Sequence, residues 1–379
     1  MSNEADEFFE GKRPWSKIKD HVLISYLYPY IAKIMRKGQP LLLIDAFAGP
    51  GVFDDGAAGS PLIMCQAAEK YAKGNYKAIF VNKDMAYHQK LGSILRKANF
   101  DGAATSVLGN SQDLLRIVGQ SLRSQSVFLY LDPFGLKDCE FSTLMPFLDR
   151  NANYSTEIII NLCAPILHRL AARDALAKGT ANPQQIQGWH DVLTRTLGGD
   201  YWQEALLTDN GMTPKQREQL VVEGYKKMLS KTGYLPFTGS CPVQATRDGR
   251  TKYYIIFASG HPDAMRLMND GMCKAFNEYM NHQETEGTLF SDYAWSDWHD
   301  PTKLVDLVIS YVNRYQGLSR STLWLKIIND NFMRYTESEY KKAVKEAYEQ
   351  KRILSSTLIG TPQRKTKSLN DDCILIPNF

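Results

Sequence analysis

Two short segments of the 379-residue chain combine acids, glycines and aromatic residues in spacings that could bind and react with a ligand. The first is "LLLIDAFAGPG", in which Asp45, Phe47, Gly49 and Gly51 follow a short apolar run as D-x-F-x-G-x-G. Glycines let a backbone turn pass close under a ligand, and an acid at a strand end can fix a polar or cationic group. We expect these four residues to bind a ligand; the alternative is a tight turn that binds nothing.

The second segment is "LDPFGL", which contains Asp132, Pro133, Phe134 and Gly135. Such residues could bind an aromatic amine on a nucleobase and make it react. An aromatic amine is a poor nucleophile because its lone pair is delocalised into the ring. The Asp132 carboxylate and the Pro133 carbonyl could accept its two N–H bonds and localise that lone pair, while Phe134 stacks on the base. D-P-P-Y and D-P-F-G tetrads of this kind are typical of enzymes that methylate exocyclic amines of nucleobases. The alternative is a plain turn, which Asp-Pro opens and Gly closes.

Polar residues also follow the next two predicted strands. Asn82 stands where an acid that holds ribose hydroxyls is usual, and Asp84 comes two residues later. Asn82 can accept a hydrogen bond but lacks the charge. Asn110 and Ser111 follow the third strand and could meet an adenine edge. The alternative for these residues is that they cap helices.

The surrounding pattern indicates which elements position these residues. Short, continuously apolar strands alternate with helical segments, which favours a parallel sheet covered on both faces. The predicted strands are "LLLID", "KAIFVN", "ATSVLG", "VFLYLD" and "EIIINL", after a first helix in "WSKIKDHVLISYLYPYIAKIMRK". A hairpin turning at Asp248-Gly249 comes late in the segment "VQATRDGRTKYYIIFAS". Five parallel strands closed by an antiparallel hairpin predict a Rossmann-like α/β fold of the class I methyltransferase type, with S-adenosylmethionine as the cofactor.

The chain divides by composition into a methyltransferase-like domain over residues 1–282, a linker over 283–300 and a small domain over 301–379. Within the first domain, about residues 165–235 are helical, polar and rich in Gln, with Trp189 and Trp202. We interpret them as an insertion or a lid. The last domain shows three amphipathic helices and two short strands around the basic loop "TPQRKTKS". This order is typical of a winged helix.

The positive charge is concentrated in that last domain. Residues 301–379 carry 13 Lys and Arg against 8 Asp and Glu, whereas the whole chain has a net charge of only +4. This asymmetry indicates a polyanion partner, and we expect nucleic acid. The candidate phosphate contacts are Lys341, Lys342 and Lys345 on the third helix and Arg364, Lys365 and Lys367 in the wing. The alternative is a solvated surface on a module that forms dimers.

Composition narrows the remaining classes of protein. No run approaches the roughly 18 apolar residues that a membrane helix needs, and the acidic N-terminal segment is not a signal peptide. None of the six cysteines forms a C-x-x-C pair, so we expect reduced thiols, no metal site and a cytoplasmic location.

Several segments resemble one known family. "WSKIKDHVLISYL", "IDAFAGPGVFDDGAAGSPL", "LDPFGL", "TEIIINL" and "YYIIFASGHPDAMRLM" are similar to the three-Cys-motif partner (TcmP) proteins, over roughly residues 10–280. The resemblance implies a methyltransferase-like fold and a neighbouring partner, a radical-SAM-like protein with three cysteines. It places cofactor binding at Asp45, Phe47, Gly49 and Gly51, and the active-site turn at Asp132–Gly135.

Taken together, the sequence predicts an S-adenosylmethionine-dependent methyltransferase acting on a nucleobase amine in nucleic acid. Two alternatives stay open. One is a non-catalytic binding subunit that has lost the cofactor, which Asn82 favours. The other is a methyltransferase for a small molecule or peptide, in which the winged helix serves dimerisation.

Overall fold

The computed structural model describes residues 14–133, 135–136, 138–150, 153–180, 182–208, 211–244, 249–285, 299–356 and 369–378. The chain forms two compact units, Met1–Ala264 and Met265–Phe379. No helix among these residues is both long enough and apolar enough to cross a membrane.

A seven-stranded sheet organises the N-terminal unit. Its spatial order is β3-β2-β1-β4-β5-β7-β6. The first five strands along the chain pair in parallel, and β7 joins β5 antiparallel, with β6 antiparallel at the edge. This confirms the predicted parallel sheet closed by a hairpin. The strands are β1 (Leu41–Asp45), β2 (Tyr76–Asn82), β3 (Ala104–Leu108), β4 (Ser126–Leu131), β5 (Thr156–Cys163), β6 (Phe237–Gln244) and β7 (Thr251–Ser259).

Helices connect these strands, and one further helix leads toward the second unit. They are α1 (Pro14–Arg36), α2 (Ser60–Ala72), α3 (Met85–Lys97), α4 (Ser111–Ser121), α5 (Met145–Leu148), α6 (Ala164–Ala171), α7 (Arg173–Lys178), α8 (Pro183–Leu197), α9 (Trp202–Leu207), α10 (Pro214–Ser230) and α11 (Pro262–Thr285). A 3₁₀ turn, Phe141–Thr143, precedes α5.

The sheet has two differently built faces because successive side chains of a strand point to opposite sides. On one face, Ile158, Ile160 and Leu162 of β5 join an apolar core with α4, α6, α8, α9 and α10. On the other face, Tyr26 of α1 packs against Phe128 of β4 and against Phe257 of β7. Helices thus cover both faces, which is why the central strands β1 and β4 are buried along their whole length.

The segment predicted as an insertion or lid is helical, but its helices are part of the core. Leu193 and Leu197 of α8, Trp202 of α9 and Val221 of α10 are buried in the same apolar cluster as the sheet residues. The polar, Gln-rich positions occupy the outer sides of these helices. The polar composition of the segment predicted an exposed insertion, but one apolar stripe is enough to hold a helix in a core.

Helices dominate the C-terminal unit, which ends in a two-stranded antiparallel sheet. Its further elements are α12 (Thr302–Arg314), α13 (Arg320–Asp330), α14 (Glu337–Glu349), β8 (Ile353–Ser356) and β9 (Ile374–Pro377). A single bridge also joins Ser319 to Ile374. The order of three helices and two strands is as predicted, whereas residues 357–368 of the predicted wing lie outside the described residues.

The boundary between the units falls earlier than the predicted linker at 283–300. Most of α11 belongs to the C-terminal unit. The Asn269 amide nitrogen donates to the Tyr335 carbonyl (2.8 Å), and its oxygen accepts from the Met333 backbone N–H (2.7 Å). Asp270 accepts from the Glu337 N–H (3.0 Å). These buried bonds between residues about 65 positions apart leave no signature in local sequence.

Candidate active site

The glycine turn after β1 has the geometry that its sequence predicts. Gly49 and Gly51 adopt φ values of +62° and +85°, which disfavour any residue with a Cβ. The Gly51 carbonyl accepts from the Gly59 N–H at 2.8 Å, which closes the loop back onto the start of α2. A Cβ on Gly51 would lie 2.6 Å from Leu91 Cδ1, so that position faces α3.

Asp45 supports this turn from beneath. Its carboxylate accepts from the Phe47 N–H (3.0 Å) and from the Ser60 hydroxyl (2.6 Å), and the residue is 0% exposed. Burial raises the pKa of Asp45 to about 7, against the opposing effect of these two hydrogen bonds. Ser60 is the first residue of α2, and Gly59 is the N-cap. The Ser60 hydroxyl is used by Asp45 and does not cap the helix.

One cavity of about 210 Å³ joins the glycine turn to the turn after β4. It opens at the carboxyl ends of β1, β4 and β5, the edge at which open α/β sheets bind ligands. Its wall includes Phe47, Gly49 and Gly51 from one predicted segment and Asp132 and Pro133 from the other. The structure therefore brings the two predicted segments together, although about 80 residues separate them in the chain.

Asp132 is held by a lysine that the sequence prediction missed. Lys19 Nζ of α1 lies 2.7 Å from Asp132 Oδ1 and 2.9 Å from Oδ2, and it also lies 4.2 Å from the centre of the Tyr253 ring. Both charged side chains are largely shielded from solvent. The ion pair fixes the carboxylate in place while leaving further lone pairs on its oxygens, since a carboxylate can accept about four hydrogen bonds.

Polar side chains from neighbouring strands continue the wall. Tyr130 is paired in register with Asp45 and with Ile159, so Asn161, two residues further on, faces the same side of the sheet. The Asn161 amide nitrogen donates to the Tyr130 hydroxyl at 2.9 Å. Asn161 Oδ1 is buried and has no hydrogen-bond partner among the described residues. Burial, together with the carboxylates of Asp132, Asp45 and Asp20, raises the pKa of Tyr130.

The residues predicted to contact ribose and adenine have structural partners of their own. Asn82 Nδ2 donates to the Gly49 carbonyl (2.9 Å), so this side chain holds the glycine turn. Asp84 caps α3 by accepting from the Tyr87 N–H, and Asn110 caps α4 by accepting from the Gln112 N–H. The Ser111 hydroxyl donates to the Ala46 carbonyl (2.6 Å). None of these four residues lines the cavity, so their ligand contacts stay predictions.

The remaining residues of the second segment are only partly described. Phe134 lies outside the described residues, so its stacking role stays a prediction. Gly135 is partly exposed, and a Cβ added there would meet no heavy atom within 4 Å. Position 135 therefore imposes no steric requirement for glycine among the described atoms.

Residues that the sequence interpretation did not single out complete the wall. They come from α1, β4, β5 and β7, and they are Ser16, Lys19, Asp20, Tyr130, Asn161, Cys163, Lys252 and Tyr253. A usable signal existed for β5, where Asn161 interrupts the apolar run "EIIINL". No comparable signal marks Lys19, which is one of several lysines along a helix.

The predicted nucleic-acid contacts lie on the exposed side of α14. Lys341 pairs with Glu337 (2.8 Å) and Lys345 lies 3.7 Å from Glu349, both on the same helix. Lys342 is also exposed. Arg364, Lys365 and Lys367 lie outside the described residues. Exposed pairs of this kind are worth little energy, so phosphate groups could replace them.

Neither thiols nor metal ligands form a second site in the described part of the chain. All six cysteines are free, and five are buried while Cys163 is half-buried in the cavity wall. Within the described ranges, no group of three or more His, Cys, Asp or Glu side chains could hold a metal ion.

Known proteins resemble this chain only distantly. No protein-family model matches the chain, and no curated protein sequence matches it. Among solved structures, an O-methyltransferase from Bacillus cereus in complex with SAH aligns at 12% identity over 62% of this chain and 79% of that one, with a TM-score of 0.32. The O-methyltransferase TomG from Streptomyces achromogenes, in complex with SAM, aligns at 10% identity over 61% and 78%, with a TM-score of 0.29.

A third alignment is with geranyl diphosphate C-methyltransferase from Streptomyces coelicolor, at 13% identity over 62% of this chain and 76% of that one, with a TM-score of 0.25. Likenesses this distant carry no argument about activity, and the resemblance to three-Cys-motif partner proteins stays a prediction. The strand order itself defines the architecture. The N-terminal unit has the Rossmann-like α/β fold of class I methyltransferases.

Proposed function

We propose that this protein is an S-adenosylmethionine-dependent methyltransferase whose acceptor is an exocyclic amine of a nucleobase. The observation that carries the proposal is the single cavity shared by the glycine turn after β1 and the Asp132–Pro133 turn after β4. A methyl donor held over the first turn would lie beside an acceptor held at the second. Proximity and alignment of the two reactants supply much of the rate in such a transfer.

Acids and lysines meet in the wall of the cavity. Burial and the charges of Asp132, Asp45 and Asp20 raise the pKa of Tyr130, so these carboxylates act on the same small volume. Asp20 and Asp132 line the wall together with Lys19 and Lys252, and Lys19 pairs with Asp132, so the lining carries no excess positive charge that would repel a sulfonium. S-adenosylmethionine supplies an activated methyl group when bound, and the protein residues need only hold and orient the two partners.

The chemistry of Asp132 supports an amine acceptor. A carboxylate fixed by Lys19 can still accept an N–H bond from an incoming amine, and Pro133 lines the same wall. The proton of the methylated amine would pass to solvent or to the Asp132 carboxylate.

A non-catalytic binding subunit is the second candidate function. The observation that favours it is Asn82, which donates to the Gly49 carbonyl and brings no carboxylate to the usual ribose position. A titration of the full chain with S-adenosylhomocysteine decides between the two functions. Micromolar binding, followed by transfer of a labelled methyl group from S-adenosylmethionine to nucleic acid, supports the enzyme.

The acceptor class is tested by separating the labelled products. Label in total RNA or DNA supports the nucleobase proposal, whereas label only in small-molecule or peptide fractions replaces it with the small-molecule alternative. No cofactor binding at all supports the binding subunit.

We also propose that the C-terminal unit is a winged helix that contacts nucleic acid. The support is the order of α12, α13, α14, β8 and β9 together with the exposed lysines of α14. Changing Arg364, Lys365 and Lys367 together to alanine should flatten the log–log salt dependence of binding by up to about three units, at about 0.9 per phosphate contact. An unchanged slope would indicate that this unit instead forms dimers or binds the three-cysteine partner.

A further inference from the structure

One buried atom in the cavity wall lacks a hydrogen-bond partner among the described residues. Asn161 is 2% exposed, and its Oδ1 has no hydrogen-bond partner among the described residues. Buried polar atoms without partners are rare in native proteins because each costs the full desolvation of the group. Other buried atoms without a partner in the described ranges, such as Trp324 Nε1 and Asn277 Oδ1, do not line this cavity.

The position of Asn161 relates it to Asp132. The last registered pair of β4 and β5 joins Leu131 to Ile160, so Asp132 and Asn161 are the next residues on neighbouring strands. Both line the cavity, and adjacent parallel strands lie about 4.8 Å apart. Both Asp132 and Asn161 Oδ1 can only accept hydrogen bonds.

The Tyr130 hydroxyl bonds to one amide atom of Asn161 and leaves the other without a partner. Asn161 Nδ2 is used by the Tyr130 hydroxyl, so the oxygen is the atom without a partner. Lys19 already donates to both Asp132 oxygens and holds that carboxylate in place. A donor group with two hydrogens could bond to both sites, one hydrogen to Asn161 Oδ1 and one to a remaining lone pair of Asp132.

We infer that Asn161 positions the substrate that receives the methyl group. Its Oδ1 and the Asp132 carboxylate together accept the two hydrogens of a primary amino group on a planar ring. This rests on the proposed function and sharpens it. It assigns to an amide on β5 part of the recognition of the amine. An ether, a ring oxygen or a carbonyl in the same place would offer no hydrogen to either acceptor and would leave Asn161 Oδ1 unpaired.

The test compares nucleosides that differ only in the amino group. The full chain is first titrated with S-adenosylhomocysteine and then, when saturated, with adenosine or purine riboside by calorimetry. A second pair is cytidine and its analogue without the 4-amino group. We expect the amine-bearing member of at least one pair to bind roughly tenfold to a hundredfold more tightly, the range for leaving a buried acceptor unpaired.

Variants locate the discrimination. Asn161→Leu, which is close in size but has no acceptor, should reduce the preference to less than about threefold. Asn161→Asp keeps an acceptor oxygen, and the Tyr130 hydroxyl can reverse to donate to it, so a clear preference should remain. Asn277→Leu removes a comparable amide of the C-terminal unit and should keep the full preference. If Asn161→Leu does not fold, Asn161→Ala makes the same comparison.

The outcomes separate this inference from the proposal it rests on. Failure of S-adenosylhomocysteine to bind would overturn the proposed function and this inference with it. Normal binding of S-adenosylhomocysteine with no amine preference, with no nucleoside binding, or with a preference that survives in Asn161→Leu would overturn only the role of Asn161.

Discussion

Glu157 and Asn161 are polar residues of β5 on the same face of the sheet, but they differ in how fully they are hydrogen-bonded. Glu157, at the amino end of β5, accepts hydrogen bonds from the hydroxyls of Tyr26 (2.7 Å), Ser155 (2.8 Å) and Ser259 (2.9 Å). Asn161, four residues later, has one partner and an unpaired oxygen. Both oxygens of Glu157 thus have partners within the protein, whereas Asn161 Oδ1 has none among the described residues.

Burial and a shifted pKa therefore do not by themselves mark a functional site. Burial raises the pKa of both Glu157 and Asp45 to about 7. The carboxyl end, in contrast, combines buried polar groups with a cavity. In an open α/β sheet the loops after the strands diverge at that end, so α1 and the turns can enclose space there.

The largest expected effect is the loss of activity in Asp132→Ala. The carboxylate would contact the reacting amine, and removing a positioned acid–base group typically costs a factor of about 10² to 10⁴ in rate. Affinity for S-adenosylhomocysteine should change much less. Single-turnover methyl transfer from labelled S-adenosylmethionine and calorimetry measure the two quantities separately.

Asp138→Ala is the matched control for that variant. Asp138 is an acid of the same loop, and it lies 3.7 Å from Lys83 in a largely exposed pair. Its removal should leave transfer within about twofold, as is usual for surface changes. Equal losses in the two variants would mean that Asp132 acts only through the fold of the loop.

At the opposite end of the sheet, Glu157→Gln should change stability and not ligand binding. The pKa of Glu157 is raised from 4.5 to about 7, so the folded state prefers the protonated form. Its contribution to stability is fully present below about pH 4.5 and is lost as the pH rises through about 7. Gln mimics the protonated form, and the hydroxyls around it can reorient to suit the amide.

Denaturant unfolding at pH 5 and pH 8 measures this effect. The stability of the wild type relative to Glu157→Gln should fall by up to roughly 3 kcal/mol between the two pH values. Titration with S-adenosylhomocysteine should give the same affinity for both proteins. A parallel pH dependence in the two proteins, or weakened ligand binding in the variant, would break the contrast between the two ends of the sheet.

A smaller effect is expected from Gly51→Val, with Gly56→Val as its control. Both glycines have positive φ, +85° and +81°, so a side chain at either costs about 1–2 kcal/mol in backbone strain. Only at Gly51 does the new Cβ also meet Leu91, and only Gly51 lines the cavity. We therefore expect a larger loss of stability at Gly51 than at Gly56, and at least about a tenfold loss of S-adenosylhomocysteine affinity at Gly51 alone, since about 1.4 kcal/mol of strain that reaches the ligand is a factor of ten. Equal affinities would place the cofactor elsewhere.

Asn82→Asp should have the smallest effect, and it should weaken cofactor binding. The substitution removes the donor to the Gly49 carbonyl and sets a carboxylate oxygen against that carbonyl. Loss of a buried hydrogen bond of this kind costs about 1–3 kcal/mol in stability, of which only part would reach the ligand. Calorimetry with S-adenosylhomocysteine provides the measurement. Tighter binding would show that the position serves the ribose, as its place at the end of β2 first suggested.

Much of the architecture could be predicted from sequence because it depends on local patterns. The continuous apolar runs give the five parallel strands, and "LLLID" matches β1 residue for residue. Gly49 and Gly51 occupy positive φ as their turn requires. The order of helices and strands after residue 300 is likewise recoverable, since amphipathic periodicity is a local signal.

Tertiary structure alone decided which polar residues meet. Lys19 reaches Asp132 across 113 positions, and Asn161 lines the same cavity only because β4 and β5 are neighbours in register. The same packing gave Asn82 the Gly49 carbonyl as its partner, although its position in sequence equally suited a ligand. Asp84 and Asn110 cap helices through local bonds to residues two or three positions on. A side chain's type and place in a strand limit what it can donate or accept. Which partner it meets across the sheet depends on residues that only folding brings together, because the free energy of a buried polar contact depends on all of its neighbours.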